Sequence, residues 1–167
     1  MQSISTITNQ AGKPIRTGDY DSGATEAITP DRKTLYVADF KAQAVIPIST
    51  ATGQVGPHIK VGEGPSAMAI TPNGRTLYVV NEWSGTVTPI STATNTAGRA
   101  IRVRPAGEGM TSGIAITPDG RTAYVLCSAG GVVPVSTATD TAGASHPGDP
   151  LRRRRPGERA LTWEIAP

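Results

Sequence analysis

The chain has 167 residues, a formal charge of +3, 17% charged residues and 4% aromatic residues. This length can bury one respectable core, while 19 Gly and 14 Pro favour frequent turns and argue against long helices. The basicity is local: without Arg152, Arg153, Arg154 and Arg155 the formal charge falls from +3 to −1, so no basic field covers the body of the chain. Cys127 is the sole cysteine, which rules out an intramolecular disulfide and leaves the compartment open. No apolar run is long enough for a membrane-spanning helix, and the first residues, MQSISTITNQAG, lack the basic and apolar regions of a secretory signal.

In chain order, SISTITNQAGKPIRTG at residues 3–18 matches PISTATGQVGPHIKVG at residues 47–62, so the chain is expected to begin at the third strand of a repeat. Three longer copies follow, beginning AITPDRKTLYVAD at residue 27, AITPNGRTLYVVN at residue 69 and AITPDGRTAYVLC at residue 115. Ile28, Ile70 and Ile116 are spaced by 42 and 46 residues, and Tyr36, Tyr78 and Tyr124 keep the same spacing. Self-similarity at this period marks a repeat architecture.

Each copy reads as four short strands. A small alternating stretch ends in AITP, and the Pro and Gly of TPDG or TPNG reverse the chain. RTLYVV, rich in aromatic and β-branched residues, is the second strand; its short length and composition argue against the competing amphipathic helix. After a polar loop comes TVTPIST or AVIPIST, whose Pro points to an edge, a bulge or a strand end. AIRV or HIKV supplies the fourth strand. Four strands joined by reversals at this period describe a four-stranded antiparallel blade.

The expected division is residues 3–26 for a partial first blade, 27–68, 69–114 and 115–156 for three blades, and 157–167 for the first strand of a further blade. GERALTWEIAP at the end resembles GEGMTSGIAITP at residues 107–118. The fold class is therefore all-β, a β-propeller of about 3.75 blades, a truncated or half ring. Before that last segment, LRRRR replaces the fourth-strand pattern. It could be a divergent strand, a disordered tail or an altered reading frame.

The sequence ITPDG or ITPNG, then RTLYV, a polar loop, PISTATN and I-x-V-G, resembles the YVTN-type β-propeller repeats of bacterial and archaeal proteins. The name-giving tetrapeptide is approximated as YVAD at Tyr36, YVVN at Tyr78 and YVLC at Tyr124. The resemblance implies a ring of about seven blades and leans toward a cell-envelope or secreted location. It implies little chemistry, since such rings host binding proteins, surface-layer components, cofactor-dependent dehydrogenases and lactonases. A chain with fewer blades leaves open blade faces, and exposed apolar faces of repeat proteins mark interaction surfaces. A protein partner, or self-association about a two-fold axis, is the expected means of covering them; the alternative is a pseudogene-like fragment that is marginally stable or aggregates.

The second-to-third loops and the fourth-to-first connections vary among the copies, whereas the TPDG and STAT turns are constant, so the variable face is expected to carry function. Candidate ligand contacts there are Asn81, Glu82, Trp83, Asp39, Phe40, Glu63 and Glu108. Trp83 beside a carboxylate could stack on a sugar, a base or a peptide ring, or else pack against a neighbouring blade. Asp19, Asp21 and Glu26 could offer oxygens to Ca2+, but their spacing is that of plain turns. Glu63, Glu108 and Glu158 could ring the channel mouth, although repetition alone generates equivalent copies.

His58 and His146 fall near the rim, no zinc-ligand spacing exists, and no G-x-S-x-G elbow accompanies the serines. Cys127 has no electropositive neighbour and reads as an inert thiol. The leading expectation is a non-enzymatic binding or scaffold module with no cofactor and no metal. The first alternative is a lactonase-like or cofactor- or metal-dependent propeller enzyme. The second is nucleic-acid binding through Arg152, Arg153, Arg154 and Arg155, which predicts salt-sensitive affinity lost on their deletion; aromatic platforms are scarce there, and a solvated tail is the preferred reading.

Overall fold

The computed structural model describes residues 2–4, 10–15, 25–104, 111–127 and 131–144. Among these residues every regular element is a β-strand. The N-terminal pair is β1 (Gln2–Ile4) and β2 (Ala11–Pro14), joined antiparallel. The first blade contains β3 (Glu26–Ile28), β4 (Thr34–Asp39), β5 (Ala44–Ser49) and β6 (Ile59–Lys60), hydrogen-bonded in that order. The second contains β7 (Pro65–Ile70), β8 (Thr76–Asn81) and β9 (Thr86–Ser91), with β10 (Thr96–Ala97) and β11 (Ile101–Arg102) both paired to β9. The third runs β12 (Thr111–Ile116), β13 (Thr122–Cys127), β14 (Gly131–Ser136) and β15 (Thr141–Ala142). The expectation of four-stranded antiparallel blades is met. The arginine run, Glu108, Glu158, Asp19, Asp21 and His146 lie outside the described residues.

The recurrent proline stands mid-strand rather than at an end. Pro47, Pro89 and Pro134 pair across to Tyr36, Tyr78 and Tyr124 on the second strand. On the outer side their carbonyls accept the N–H groups of Gly56, Gly98 and Gly143 at 2.8, 2.8 and 2.7 Å. The outer strand is interrupted opposite the proline, most clearly where β10 gives way to β11, so the missing N–H leaves no ladder position unfilled.

The first reversal is wired identically in each blade. Thr29 Oγ1 donates to Asp31 Oδ1 at 2.6 Å, and the Lys33 N–H reaches the same oxygen at 3.0 Å. Thr71 with Asn73 and Thr117 with Asp119 repeat the arrangement. The threonine hydroxyl, with the backbone N–H of Lys33 or Arg121 next, holds the Asp31 and Asp119 carboxyls below their ordinary range. Their contribution to stability is present above the unfolded value near 3.8 and is lost as pH falls through the lower folded value. Asp119→Asn is expected to flatten that acid limb, which thermal melts between about pH 5 and pH 2 would show.

Blades pack face to face through two apolar layers. Tyr36, Val45 and Ile59 of the first blade meet Leu77, Val79 and Ile90 of the second. Tyr78, Val80, Val87 and Ile101 of the second meet Ala123, Val125 and Val135 of the third. Ile15, just past the N-terminal hairpin, packs against Val37, Ile46 and Ile48 of the first blade. Polar latches join the layers: Tyr36 Oη donates to Asn95 Oδ1, and Tyr78 Oη donates to Asp140 Oδ1, each at 2.7 Å. Asn95 and Asp140 hold left-handed backbone, φ 54° and 51°, which Asn and Asp tolerate better than most residues. Asn95→Gly keeps that backbone and removes only the acceptor, so a loss of about 0.5–1.5 kcal/mol is expected in urea unfolding.

Candidate functional site

The two kinds of turn expected on one face do meet. Thr50, Thr92 and Thr137 in the third-to-fourth turns donate through backbone N–H to Lys33, Arg75 and Arg121 in the first-to-second turns, each at 3.0 Å. The variable loops therefore share the opposite ends of the strands. Ser66 Oγ donates to the Thr111 carbonyl at 3.2 Å, tying together the starts of β7 and β12 on that loop side.

The most developed cluster lies where the first and second blades adjoin. The connection Val61 to Pro65 runs from β6 to β7 and passes beside the loop between β8 and β9. Its Glu63 carbonyl accepts the N–H of Trp83 at 3.1 Å, and its Gly64 carbonyl accepts that of Glu82 at 2.8 Å. Gly64 takes φ 69°, and a Cβ there would lie 3.1 Å from Trp83 Cγ. Glycine is thus required for the indole to settle on the backbone. Phe40, from the loop between β4 and β5, meets Trp83 edge-on, with ring centroids 4.7 Å apart and planes at 87°. Trp83 is braced on two sides and still 59% exposed.

The acidic candidates divide by role. Glu63 is exposed and Glu82 half-buried at this cluster. Asp39 Oδ1 accepts the Ala42 N–H at 2.8 Å and so closes its own turn. Asn81 is fully enclosed, and its Nδ2 donates to Thr86 and Thr88 at 3.1 and 2.9 Å. It supports the loop from below and does not face the surface. Glu108 lies outside the described residues.

Residues that sequence reasoning passed over complete the support. A Cβ on Gly62 would lie 2.6 Å from Ser84 Oγ and 2.8 Å from Asn81 Nδ2, so the connection can pass only because residue 62 has no side chain. Arg104, just past β11, is buried, and its Nη1 has no hydrogen-bond partner. Cys127 is buried as expected, and His58 is exposed just before β6. Among the described residues no three His, Cys, Asp or Glu side chains group as metal ligands, and no helix is long and apolar enough to cross a membrane.

Antiparallel four-stranded blades packed face to face, with their first strands adjacent, define a β-propeller. The chain belongs to the lactonase, 7-bladed beta-propeller family, whose model matches residues 24–129. Among solved structures it is similar to the hydrazine synthase of Kuenenia stuttgartiensis, at 30% identity and TM-score 0.66, over 72% of this chain and 34% of that one. It is also similar to a protein described as a 6-phosphogluconolactonase from Bacteroides uniformis, at 20% identity and TM-score 0.63, over 73% of this chain and 40% of that one. The WD40 repeats of RRP9 align at 17% identity and TM-score 0.66, over 78% and 40% of the two chains. The chain thus spans between 34% and 40% of the length of these three structures. The comparison with curated proteins gave no match.

Proposed function

We propose that the chain is a non-enzymatic propeller module of the YVTN type that binds a ligand or protein on its loop face, around Trp83, and contacts a protein partner or a second copy through its open blade faces. The supporting observation is the state of Trp83. An indole exposed over more than half its surface, yet held by Phe40, by Gly64 and by the Glu63 carbonyl, is a rigid platform. Rigid aromatic area loses little entropy on binding and anchors most recognition surfaces. Glu63 and Glu82 beside it supply acceptors for a sugar hydroxyl or a peptide N–H. The similarity to WD40 repeats, which concerns the fold, is in keeping with a module of this kind.

The test is affinity selection on glycan and peptide arrays with the wild-type chain and with Trp83→Ala. Loss of the indole is expected to weaken the selected ligand by about 30-fold or more, a change of about 2 kcal/mol. Its effect on urea unfolding should stay within about 1.5 kcal/mol, since the stability lost is chiefly the edge contact with Phe40. Selection of the same ligands at unchanged affinity by Trp83→Ala would refute the assignment.

A second reading is favoured by the family match. A lactonase-type activity would use carboxylates on the loop face, Glu63 and Glu82 foremost, to hold a metal that polarises a lactone carbonyl. It predicts co-purifying metal and hydrolysis of sugar lactones lost in Glu63→Gln. Metal at background level together with no lactone turnover would remove it.

A further inference from the structure

The first-to-second turn is built three times on one pattern, and its third residue differs among the blades: Asp31, Asn73 and Asp119. In each, one side-chain oxygen takes two donors. The threonine hydroxyl reaches it at 2.6, 2.7 and 2.5 Å, and the backbone N–H two residues on reaches it at 3.0 Å in all three. The amide nitrogen of Asn73 takes no part in either bond, so a carboxylate serves this turn as well as a carboxamide does.

Asn73 is exposed and stands directly before Gly74. Of the four asparagines, at 9, 73, 81 and 95, it alone precedes a glycine. A glycine nitrogen, with no side chain crowding it, can approach the carboxamide carbon of the residue before it. The second blade reads AITPNGR where the third reads AITPDGR. Exchanging one amide for an acid would therefore turn one stretch into the other, and the wiring of that acid form already exists at Asp119 and Gly120.

We propose that Asn73 is a site of spontaneous deamidation, at which the folded turn yields an ordinary aspartate. The Gly74 nitrogen gives up its proton to solvent base and attacks Asn73 Cγ. The bond from Cγ to Nδ2 breaks, Nδ2 takes up a proton, and ammonia leaves a five-membered succinimide. Water then opens the ring. Cleavage of the new Cγ–N bond restores the main chain and leaves an aspartate. Cleavage at the former backbone carbonyl instead routes the main chain through Cγ and adds a methylene to it. The net change is one water in and one ammonia out.

The turn controls both the rate and the product. The Gly74 N–H is committed to the Thr71 carbonyl at 2.8 Å, and the Asn73 oxygen is pinned by Thr71 and Arg75, so the attack waits for the turn to open. The length of main chain between residues 71 and 76 is fixed by the Thr71 N–H on the Thr76 carbonyl and by the Thr76 N–H on Thr71 Oγ1. An added methylene does not fit that span, whereas an aspartate does. The product lowers the formal charge from +3 to +2 and places a second carboxylate in the cleft that Asn73 and Asp31 line between the first two blades.

The test holds the whole chain at mildly alkaline pH and follows it by intact mass, peptide mapping and ion exchange beside the Asn73→Asp variant. Conversion is expected at residue 73, to a product that co-elutes with that variant. It should run about tenfold or more slower than in urea, where the turn is open. Thr71→Ala, which removes one of the two pins, should speed it by about fivefold, the worth of one hydrogen bond. No conversion of the folded chain over a period in which the chain in urea converts fully would overturn the proposal. So would an equal rate in urea, conversion of Asn81 or Asn95 as fast as Asn73, or the isomer with the lengthened main chain as the major product of the folded chain.

Discussion

Tyr78→Ala is expected to lower the unfolding free energy by about 3–5 kcal/mol, the range for removing a large aromatic side chain from a core. Tyr78 is 1% exposed and sits among Val80, Val87, Ile101, Ala123, Val125 and Val135, so its ring fills the layer between the second and third blades. The neighbours belong to two sheets whose spacing is set by many other contacts, and they cannot collapse into the space left behind. Burial, followed by the hydrogen bond and charge of Asp140, also pushes the Tyr78 phenol above its ordinary value, as a hydroxyl committed to donating requires. Tyr78→Phe isolates that latch and should cost about 1 kcal/mol. Equilibrium urea unfolding checks both. A loss below about 1.5 kcal/mol for the alanine variant would mean that the layer repacks freely, contrary to the jigsaw described here. Against a whole-domain stability of about 5–15 kcal/mol, the alanine variant removes a large share.

Gly62→Ala is expected to be the most disruptive single methyl group on the loop face. The new Cβ would lie 2.6 Å from Ser84 Oγ and 2.8 Å from both Asn81 Cγ and Nδ2. Ser84 can turn away, but Asn81 is held by Thr86 and Thr88 inside the blade. The connection must therefore shift, and with it the Glu63 carbonyl that holds the N–H groups of Trp83 and Ser84. Overpacking of this kind costs about 1–3 kcal/mol. Trp83 emission should also change, because the indole loses its seat on Gly64. In the double variant with Ser84→Ala part of the stability should return, since one of the clashing atoms is gone. Full wild-type stability in Gly62→Ala would contradict the close approach.

Much of the fold was legible because repetition is a property of the sequence itself. Ile28, Ile70 and Ile116 mark equivalent strands whatever their surroundings, and period-two alternation in RTLYVV identifies the strand at Tyr78. Partnership across repeats was not legible in the same way. Asn95 reads as a routine turn residue until Tyr36, 59 residues earlier, is placed against it. The mid-strand position of Pro89 was hidden for a related reason: what makes it tolerable is an interruption in the strand beside it.

At the site, Trp83 stood out in the sequence because a large aromatic in a polar loop is unusual. Its bracing by Phe40 was not visible, since the two loops belong to different blades. Asn81 illustrates the opposite case. Its polarity and its place beside Glu82 and Trp83 suggested ligand contact, yet at the end of β8 it is fully enclosed, where its Nδ2 donates to the hydroxyls of Thr86 and Thr88. Sequence could have separated the two by noting that Asn81 ends the strand while Trp83 stands beyond it.

The central claim, that Trp83 on its Phe40 and Gly64 support is the binding platform, is tested most directly by its own fluorescence. In a Trp163→Phe background Trp83 is the sole emitter, and it can be titrated with the ligands selected on the arrays. The account predicts a saturable shift in emission, with the affinity weakened about tenfold or more in Phe40→Ala, where the platform loses its brace. Saturable binding that leaves Trp83 emission unmoved would place the binding surface elsewhere on the molecule and contradict the account.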